Sequence, residues 1–472
     1  MPEADPAGRQ SLSPGEFGTA FKAFLEQSTA QAPAAEPVLA GRLRRHLGGD
    51  PAGLPIVAEE YEPAEHPDLQ VALDAWLQAP GRSSEAVGVA HDRRFGTLGL
   101  GDLTGPRGGA LFGGGELLPG PVEWVNRPLD GDRVLTCIQF GLLLVADGER
   151  RLAVLVHGPV EQTIRRQVRV EVMAADRDQA RGFLADLRAT MRAQSVYRGR
   201  VISLAAEPYG PPSVRFHALP AVAREDIVVA DGVLERIERH TIGFARHRER
   251  LLAARRHLRR GLLLHGRPGT GKTLTAMYLA GQQPDRTVLL MTGRTVGLLR
   301  RTCELARLLA PATVVLEDVD LIAEERTRQE PGCTTLLFEL LNETDGLADD
   351  VDVVFVLTSN RPELLEPALA ARPGRVDLAV EVPLPDPACR RRLLELYGRG
   401  LTLQVADLDR LVERTEGVSP AFIRELLRKA ALLAVGGDGE IVVEDRHLDQ
   451  ALLELAVEGG EVTRRLLGAP AS

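Results

Sequence analysis

Apolar runs of strand length recur in the second half of the chain, and each ends on polar residues. The runs are GLLLHG at 261–266, TVVLEDVD at 313–320 and FVLTSN at 355–360. Continuous apolar runs of this length are typical of buried strands. Helix-like segments occur at 274–281 and 415–435, so this half is predicted to contain strands connected by helices.

The first half has a different pattern, in which apolar stretches alternate with turn residues and are followed by a helical segment. This mixture predicts an α+β region over residues 36–200. The glycine-rich GGALFGGGE at 108–116 fits no phosphate-binding loop and is predicted to be a flexible loop. The apolar stretches are VLTCIQFGLLLVAD at 134–147, LAVLVHG at 152–158 and VRVEVMA at 168–174, and the helical segment is 176–194.

Changes in composition mark the ends of this α+β region. Residues 1–35, rich in Ala, Pro and Ser, are expected to form a flexible arm with a short helix at 16–27. A linker is expected at 201–225, where the chain passes through PYGPP. Residues 36–200 contain no catalytic motif, so we expect them to bind a protein substrate or partner.

Charge and composition exclude several classes of protein. The 472 residues carry a formal net charge of -9, which does not suggest nucleic-acid binding, although a local basic face remains open. No apolar stretch reaches the roughly 18 residues of a membrane span, so the protein is expected to be cytoplasmic. The cysteines Cys137, Cys303, Cys333 and Cys389 lie far apart, without the spacing of a disulfide framework or a zinc site.

Lysine is almost absent, which makes each remaining lysine informative. Lys22, Lys272 and Lys429 are the three lysines, and Lys272 lies in GRPGTGKT at 266–273. This stretch matches the phosphate-binding loop pattern, in which glycines expose backbone N–H groups, the lysine reaches the β and γ phosphates, and a hydroxyl binds Mg²⁺. The predicted ATP-binding residues are Gly266, Pro268, Gly269, Thr270, Gly271, Lys272, Thr273 and Leu274.

In the stretch 313–320, the apolar residues lead into two adjacent acids, Glu317 and Asp318, and a third acid, Asp320, follows. Taken alone, they are equally consistent with a buried strand that runs into a solvated acidic loop. The phosphate-binding loop upstream favours a metal–nucleotide site, with one carboxylate on the Mg²⁺ side and the other near the attacking water. Asp320 is expected to close the strand or to contact a neighbouring residue.

The segment from about 226 to 455 resembles the AAA module of the AAA+ ATPases, through several motifs in the same order and at similar spacing. The resemblance implies a doubly wound parallel α/β P-loop domain at 226–385, a small helical lid at 386–458 and a tail at 459–472. It also implies a homo-hexameric ring. It assigns roles to Lys272 (Walker A), Glu317 and Asp318 (Walker B), Asn360 (sensor 1), Arg372 and Arg375 (arginine fingers), and Asp345 to Leu347 (intersubunit signalling).

An Mg²⁺-dependent ATPase that remodels a protein partner is therefore the predicted function. Thr273 and Glu317 are expected to hold the metal, with Asp318 and Asn360 near the attacking water. Ile227 and Val228 are candidate neighbours of the adenine ring, although an ordinary edge strand fits them equally well. Two alternatives remain, an ATP-regulated scaffold with negligible turnover and a P-loop kinase, of which the kinase fits the paired arginines less well.

Two departures from the family pattern bear on mechanism. The order Glu317–Asp318 reverses the usual Asp–Glu and resembles the mitochondrial AAA chaperone that translocates a Rieske protein, which implies that the reversed pair is compatible with hydrolysis. No Phe, Tyr or Trp occurs between Tyr278 and Phe338, where many AAA unfoldases have an aromatic pore loop. The Thr-Val-Gly at 295–297 would be a remnant of such a loop. The missing aromatic argues against generic unfolding and favours a specific partner.

Overall fold

A computed structural model describes most of the chain. The described residues are 13–31, 37–90, 98–104, 117–159, 167–207, 212–258, 260–320, 351–365, 376–436 and 440–455. The predicted glycine-rich loop at 108–116 lies outside them, as does an amphipathic segment with an Asp-Gly turn at 336–347. No helix in the described ranges is both long and apolar enough to cross a bilayer.

The N-terminal region is built on an antiparallel sheet. Its strands pair in the order β1-β7-β6-β5-β2-β3, and β4 pairs with the first half of β5. The long predicted strand at 134–147 is present over its whole length as β5. The strands are β1 (Ile56–Tyr61), β2 (Arg82–Ala90), β3 (Leu118–Gly120), β4 (Glu123–Pro128), β5 (Val134–Asp147), β6 (Arg150–His157) and β7 (Val168–Met173).

Helices cover both faces of this sheet, which explains why its central strands are apolar on both sides. Helices α3 (His66–Leu77) and α4 (Arg177–Ala193) pack on one face, where Trp76 and Phe183 meet edge to face at 4.8 Å. Helix α2 (Val38–Leu47) packs on the opposite face through Leu39 and Leu43. A preceding helix, α1 (Pro14–Gln31), exposes Phe17, Phe21 and Phe24.

A second sheet carries the phosphate-binding loop. Its strand order is β14-β10-β13-β12-β11-β8-β9, and every neighbouring pair is parallel except β8 with β9. The parallel α/β architecture predicted from the sequence is confirmed. The strands are β8 (Val201–Ala205), β9 (Ser213–Phe216), β10 (Arg260–His265), β11 (Thr287–Met291), β12 (Ala312–Leu316), β13 (Val353–Ser359) and β14 (Leu378–Glu381).

Both faces of the second sheet are also covered. Helix α9 (Leu299–Leu308) lies on one face, and α5 (Val233–Glu238) and α8 (Lys272–Gly281) lie on the other. Two short helices, α6 (Phe244–Arg246) and α7 (Arg248–Ala253), precede β10. Burial on both faces is the reason that these strands show continuous apolar runs.

Residues 201–225 differ from the expected linker, because β8 and β9 are strands of the second sheet. Val201 and Ile202 pair with Val288 and Leu289 of β11, and β9 folds back on β8. The side chain of Arg198 also donates to the carbonyls of Leu308 and Ala310 at 2.9 and 2.7 Å. The sequence pattern is misleading because the two strands are short and lie beside the PYGPP stretch.

The C-terminal region is a helical bundle with one small parallel ladder. Its core joins Leu393, Leu394, Phe422, Ile423 and Leu426, among other buried apolar side chains. The elements are α10 (Pro387–Tyr397), β15 (Thr402–Gln404), α11 (Leu408–Arg414), α12 (Pro420–Ala434), β16 (Val442–Glu444) and α13 (Asp445–Leu453).

Candidate active site

Three neighbouring strands end at one edge of the second sheet, and the predicted site residues follow them. The phosphate-binding loop follows β10, Asn360 follows β13, and Glu317 and Asp318 follow β12. Because β13 lies between β10 and β12, Asn360 sits between the loop and the acids. Carboxyl ends of parallel strands are where open α/β sheets bind ligands.

The loop at 266–271 depends on glycine at two close approaches. Gly266 has φ 146°, and a Cβ there would lie 2.4 Å from the carbonyl oxygen of Val382. Gly269 has φ 76°, and a Cβ there would lie 2.8 Å from Oγ of Ser419. Both positions therefore exclude a larger residue, which fixes the path of the backbone around the cleft.

Lys272 begins helix α8 and is almost fully buried at 6% exposure. Its Nζ donates to the carbonyl oxygens of Gly266 and Arg267, each at 2.9 Å. Burial lowers the pKa of the ammonium, while the carboxylates of Asp318 and Asp320 act in the opposite direction. The ammonium is thus held inside the loop, beside the acids.

The start of helix α8 provides further donors for an anion. The first-turn N–H groups of a helix lack intrahelical partners and point outward along the dipole. At Gly271, with φ 97°, a Cβ would meet no atom within 4 Å, so there is open space beside the loop. Lys272 and Thr273 are the first two residues of the helix. This arrangement is suited to the phosphates of a nucleotide.

The acid pair lies just beyond the strand, where the sequence pattern had suggested that the strand continued. Strand β12 ends at Leu316, and Asp318 has a left-handed backbone with φ 50°. The alternation of side chains along a strand therefore does not determine where the two carboxylates point. The turn determines it, and the backbone N–H of Asp318 donates to Oγ1 of Thr358 at 3.0 Å.

Glu317 has the properties of a metal ligand. Burial raises the pKa of its carboxyl group and Asp318 raises it further, whereas a hydrogen bond from Thr273 lowers it. Its Oε1 is buried without a hydrogen-bond partner in the described structure. An unpartnered buried carboxylate oxygen beside a threonine hydroxyl fits Mg²⁺, which binds proteins through one or two carboxylates and shares phosphate oxygens.

A metal site built from several side chains is not found within the described ranges. No group of three or more His, Cys, Asp or Glu side chains there is placed to hold a metal ion. The described cysteines Cys137, Cys303 and Cys389 are buried and form no disulfide bond with one another.

Asp318 and Asn360 are in direct contact. Nδ2 of Asn360 donates to Oδ1 of Asp318 at 3.0 Å, and the backbone N–H of Asn360 donates to Oδ1 of Asp320 at 3.0 Å. Asp320 is 2% exposed and so positions the end of β13 rather than facing solvent. The three residues form a network across the ends of two neighbouring strands.

The helical bundle supplies part of the site that sequence reasoning missed. The backbone N–H of Ala421 donates to the carbonyl of Gly269 at 3.2 Å. Ser419 caps helix α12 by accepting from the N–H of Phe422 at 3.2 Å. Ser-Pro before an apolar helical stretch is a typical helix start and could have indicated where α12 begins. The sequence does not indicate that this helix start packs against the phosphate-binding loop, because the two segments are far apart in the chain.

A cleft of about 1090 Å³ opens between the loop and this bundle. The predicted binding residues Lys272 and Thr273 line it, as do the predicted catalytic residues Asp318 and Asn360. Tyr397 and other bundle residues complete the lining. Ile227 and Val228 do not line it. They are buried beside a neighbouring cavity of about 490 Å³, outside any strand, so an edge strand is excluded and contact with adenine stays a prediction.

Three further predicted features lie outside the described residues. They are Arg372, Arg375 and the signalling turn at 345–347.

Comparisons with known proteins identify the domain that holds this site. Residues 262–384 match the family described as "ATPase family associated with various cellular activities (AAA)". The chain is 34% identical over 236 residues to the ATP-dependent zinc metalloprotease FtsH 2 of Sphaerobacter thermophilus, which covers 48% of this chain and 36% of that protein. It is 33% identical over 221 residues to the proteasome-activating nucleotidase of Methanopyrus kandleri, which covers 43% of this chain and 50% of that protein.

These matches establish the chemistry of the domain and no more of the chain. Residues 262–384 are an AAA-type ATPase domain of the AAA+ superfamily, which hydrolyses ATP with Mg²⁺. The matched segments span about a third to a half of the length of these two relatives. The predicted resemblance to the mitochondrial Rieske-translocating chaperone stays a prediction.

Proposed function

We propose that the AAA ATPase domain works within a homo-hexameric ring that uses ATP hydrolysis to remodel a protein partner. The observation that carries the catalytic part is the 3.0 Å contact between Asn360 and Asp318, one strand away from the buried ammonium of Lys272. A polar amide, a carboxylate and a cation thus line one cleft, which supports the proposal.

In this proposal, the loop residues bind the nucleotide and Glu317 binds the metal. Lys272 exchanges its two carbonyl contacts for phosphate oxygens, which are stronger partners for an ammonium. The hydroxyl of Thr273 is hydrogen-bonded to the carboxyl group of Glu317, so the two proposed metal ligands lie side by side. When bound, Mg²⁺ supplies charge neutralisation for the phosphates and orients them.

Asp318 is proposed to orient and deprotonate the attacking water, and Asn360 to hold Asp318 in place. The left-handed backbone at Asp318 turns its side chain toward β13, where Asn360 donates to it. This contact gives the shorter Asp side chain a defined position. It supports a working site despite the reversed Glu–Asp order.

The ring and the protein partner are supported by resemblance. The pair Arg372 and Arg375 resembles arginine fingers, which would stabilise the developing charge on a neighbouring subunit's nucleotide. One relative is by name an activator of the proteasome and the other a protease. The separate sheet and core of the N-terminal region, outside the matched residues 262–384, support its proposed role in recruiting the partner.

Steady-state phosphate release tests the ATPase. We expect Mg²⁺-dependent release from the full chain and loss of both binding and release in Lys272→Ala. Lys429→Ala is a matched control, because Lys429 pairs with Glu454 in the bundle. Tight ATP binding without release from the wild-type protein would favour the scaffold alternative and contradict the proposal.

Mixing two inactive variants tests the ring. Arg372→Ala should retain ATP binding but lose most hydrolysis, and Lys272→Ala should bind no ATP. In mixed rings, a Lys272→Ala subunit would donate its intact arginines to the nucleotide of an Arg372→Ala neighbour and restore part of the activity. No recovery at any mixing ratio, with mixed assembly verified by light scattering and tag pull-down, would exclude action across subunits.

A further inference from the structure

A strongly basic segment precedes β10 and takes no part in the site described above. Residues 246–260 read RHRERLLAARRHLRR, in which seven of 15 residues are arginine and one, Glu249, is acidic. The segment thus carries a formal charge of +6 within a chain of net charge -9. A concentration of one sign of charge against the balance of the whole chain indicates a binding surface.

Most of these guanidinium groups make no ion pair with another described residue. Arg246, Arg250, Arg255 and Arg256 are exposed, and none has a carboxylate within ion-pairing distance in the described structure. An exposed arginine with no local partner retains its full binding capacity. These four residues are called the arginine face below.

Two other arginines of the segment have structural contacts. Arg248 lies 3.9 Å from Asp352, whose carboxylate is already bound by Arg286 at 2.8 Å. Arg260 stacks over the ring of Phe244 at 3.9 Å and lies 3.8 Å from Asp377. They anchor the segment to the sheet and leave the arginine face to solvent.

The backbone holds the arginine face in a defined conformation. Helix α7 ends at a turn in which the N–H of Arg255 donates to the carbonyl of Leu252 at 2.8 Å and that of Arg256 to Leu251 at 2.9 Å. Arg255 is left-handed in this turn, with φ 56°, a position that favours glycine. An arginine therefore stands where the backbone alone would select a residue without a side chain.

The location separates this surface from the nucleotide. The segment enters β10 at its amino end, whereas the phosphate-binding loop leaves the same strand at its carboxyl end. A six-residue strand spans about 20 Å. The segment is therefore attached at the amino ends of β10 and its neighbouring strands, about one strand length from the phosphate-binding loop.

We propose that the arginine face binds an acidic polypeptide segment of a protein partner. Guanidinium groups pair with carboxylates through two parallel hydrogen bonds, which lysine cannot reproduce. Several clustered arginines would together bind a run of Asp and Glu side chains. The proposal does not depend on ring formation or on hydrolysis.

Two other polyanions fit the surface less well. Single-stranded nucleic acids need exposed aromatic side chains for base stacking, and Phe244, the aromatic of this part of the chain, is covered by Arg260. Amphipathic helices that bind anionic membranes combine charge with exposed apolar side chains, and none of the exposed large apolar side chains of the described structure lies between 246 and 258.

Fluorescence anisotropy with the full-length protein tests the proposal. The probe is a fluorescein-labelled peptide of alternating Glu and Gly, compared with the same peptide containing Gln in place of Glu. We expect the Glu peptide to bind with an affinity that decreases with KCl, and the Gln peptide not to bind. Replacing Arg246, Arg250, Arg255 and Arg256 together by Gln should weaken binding of the Glu peptide at least tenfold and leave ATP hydrolysis unchanged.

A charge-matched control separates a site from general electrostatics. Replacing four exposed arginines of the N-terminal region, Arg150, Arg151, Arg177 and Arg181, by Gln removes the same charge and should change peptide affinity by less than twofold. The single variant Arg255→Gly should weaken binding of the Glu peptide, because it removes one guanidinium group. It should also raise Tm, because glycine adopts the left-handed backbone conformation without strain.

Three outcomes would overturn the proposal. The first is equal binding of the Glu peptide by the wild type and the four-arginine variant. The second is an equal loss in the control variant. The third is tighter binding of duplex DNA or of anionic phosphatidylserine vesicles than of the peptide, with that binding lost in the four-arginine variant, because the surface would then recognise another class of molecule.

Discussion

At the scale of single residues, two carboxylates that are neighbours in sequence have different hydrogen-bond partners. Glu317 is paired with Thr273 and has one buried oxygen without a partner in the described structure. Asp318 accepts from Asn360 across the adjacent strand. The same two-residue stretch can therefore serve two functions, one toward the metal and one toward water, and the two can be tested separately.

Asp318→Asn should keep ATP binding and lower turnover by about 100-fold or more, the loss expected when a general base is removed. An Asn side chain preserves the size of the residue and can still accept from Asn360, so the fold should be unaffected. Equilibrium ATP binding and phosphate release measure the two effects. Asp285→Asn, an exposed change in the turn before β11, is the control. Turnover equal to that of the wild type would exclude Asp318 as the base.

Glu317→Gln should raise Tm in metal-free buffer at neutral pH, because an ionised carboxylate is no longer buried. The folded state raises the pKa of Glu317 above its ordinary value of 4.5, so it binds a proton more tightly than the unfolded state does. Stability linked to this group is therefore lost as pH rises through the raised pKa and is regained as pH falls toward 4.5. The difference in Tm between variant and wild type should vanish at low pH.

The two proteins should differ in the opposite direction with Mg²⁺ and ATP, because only the carboxylate binds the metal well. Thermal unfolding over a pH series, with and without MgATP, measures both effects. A Tm difference that is constant with pH would mean that Glu317 is not the titrating group.

At the scale of elements, the start of helix α12 is the part of the bundle that touches the phosphate-binding loop. Ala421 donates to Gly269, and Ser419 fills the space that a side chain at Gly269 would need. A rearrangement of the loop when nucleotide binds would therefore act directly on the start of α12.

Ser419→Ala should weaken ATP binding as well as stability. Loss of the cap on α12 should cost about 1 kcal/mol of the free energy of unfolding. Asp386→Ala is the matched control, since Asp386 caps α10 by accepting from the N–H of Cys389 at 2.7 Å, away from the loop. Chemical denaturation and ATP titration compare the two. Equal loss of ATP affinity in both would mean that the bundle acts only through its overall stability.

The sequence predicted the strands at this edge of the sheet because buried strands are apolar throughout and end on functional residues. It did not predict the turn at Asp318, since a left-handed Asp has no distinctive pattern. The role of α12 was also missed, because contact between distant segments leaves no local signal. Strands β8 and β9 were missed since four or five residues give too few positions for periodicity to be seen.

At the scale of the whole molecule, the question is how hydrolysis acts on a partner. Between β11 and β12 the chain makes one short turn and helix α9, and no aromatic residue occurs from Leu279 to Leu337. Aromatic side chains bind an extended polypeptide by apolar contact that is independent of sequence. Without such aromatic side chains, the protein would have to act on a partner that it binds specifically.

We therefore expect little ATP-driven unfolding of unrelated fluorescent reporter domains by the full-length protein. Loss of reporter fluorescence over time, with ATP and with a regenerating system, is the measurement, and phosphate release in the same tube verifies activity. The competing view is that Val296 replaces the aromatic. Robust unfolding of several reporters that is abolished by Val296→Ala would support that view and contradict ours.

Strands β8 and β9, which lie in the expected linker, determine where the chain can be truncated without exposing the sheet. A shortened protein beginning at residue 226 would lose β8 and β9 and leave Thr287–Met291 as an uncovered edge. Uncovered apolar edges pair with other chains and aggregate. A truncation that begins ahead of Val201 keeps the covering strands, so the ATPase domain should be isolated in soluble form only with those residues attached.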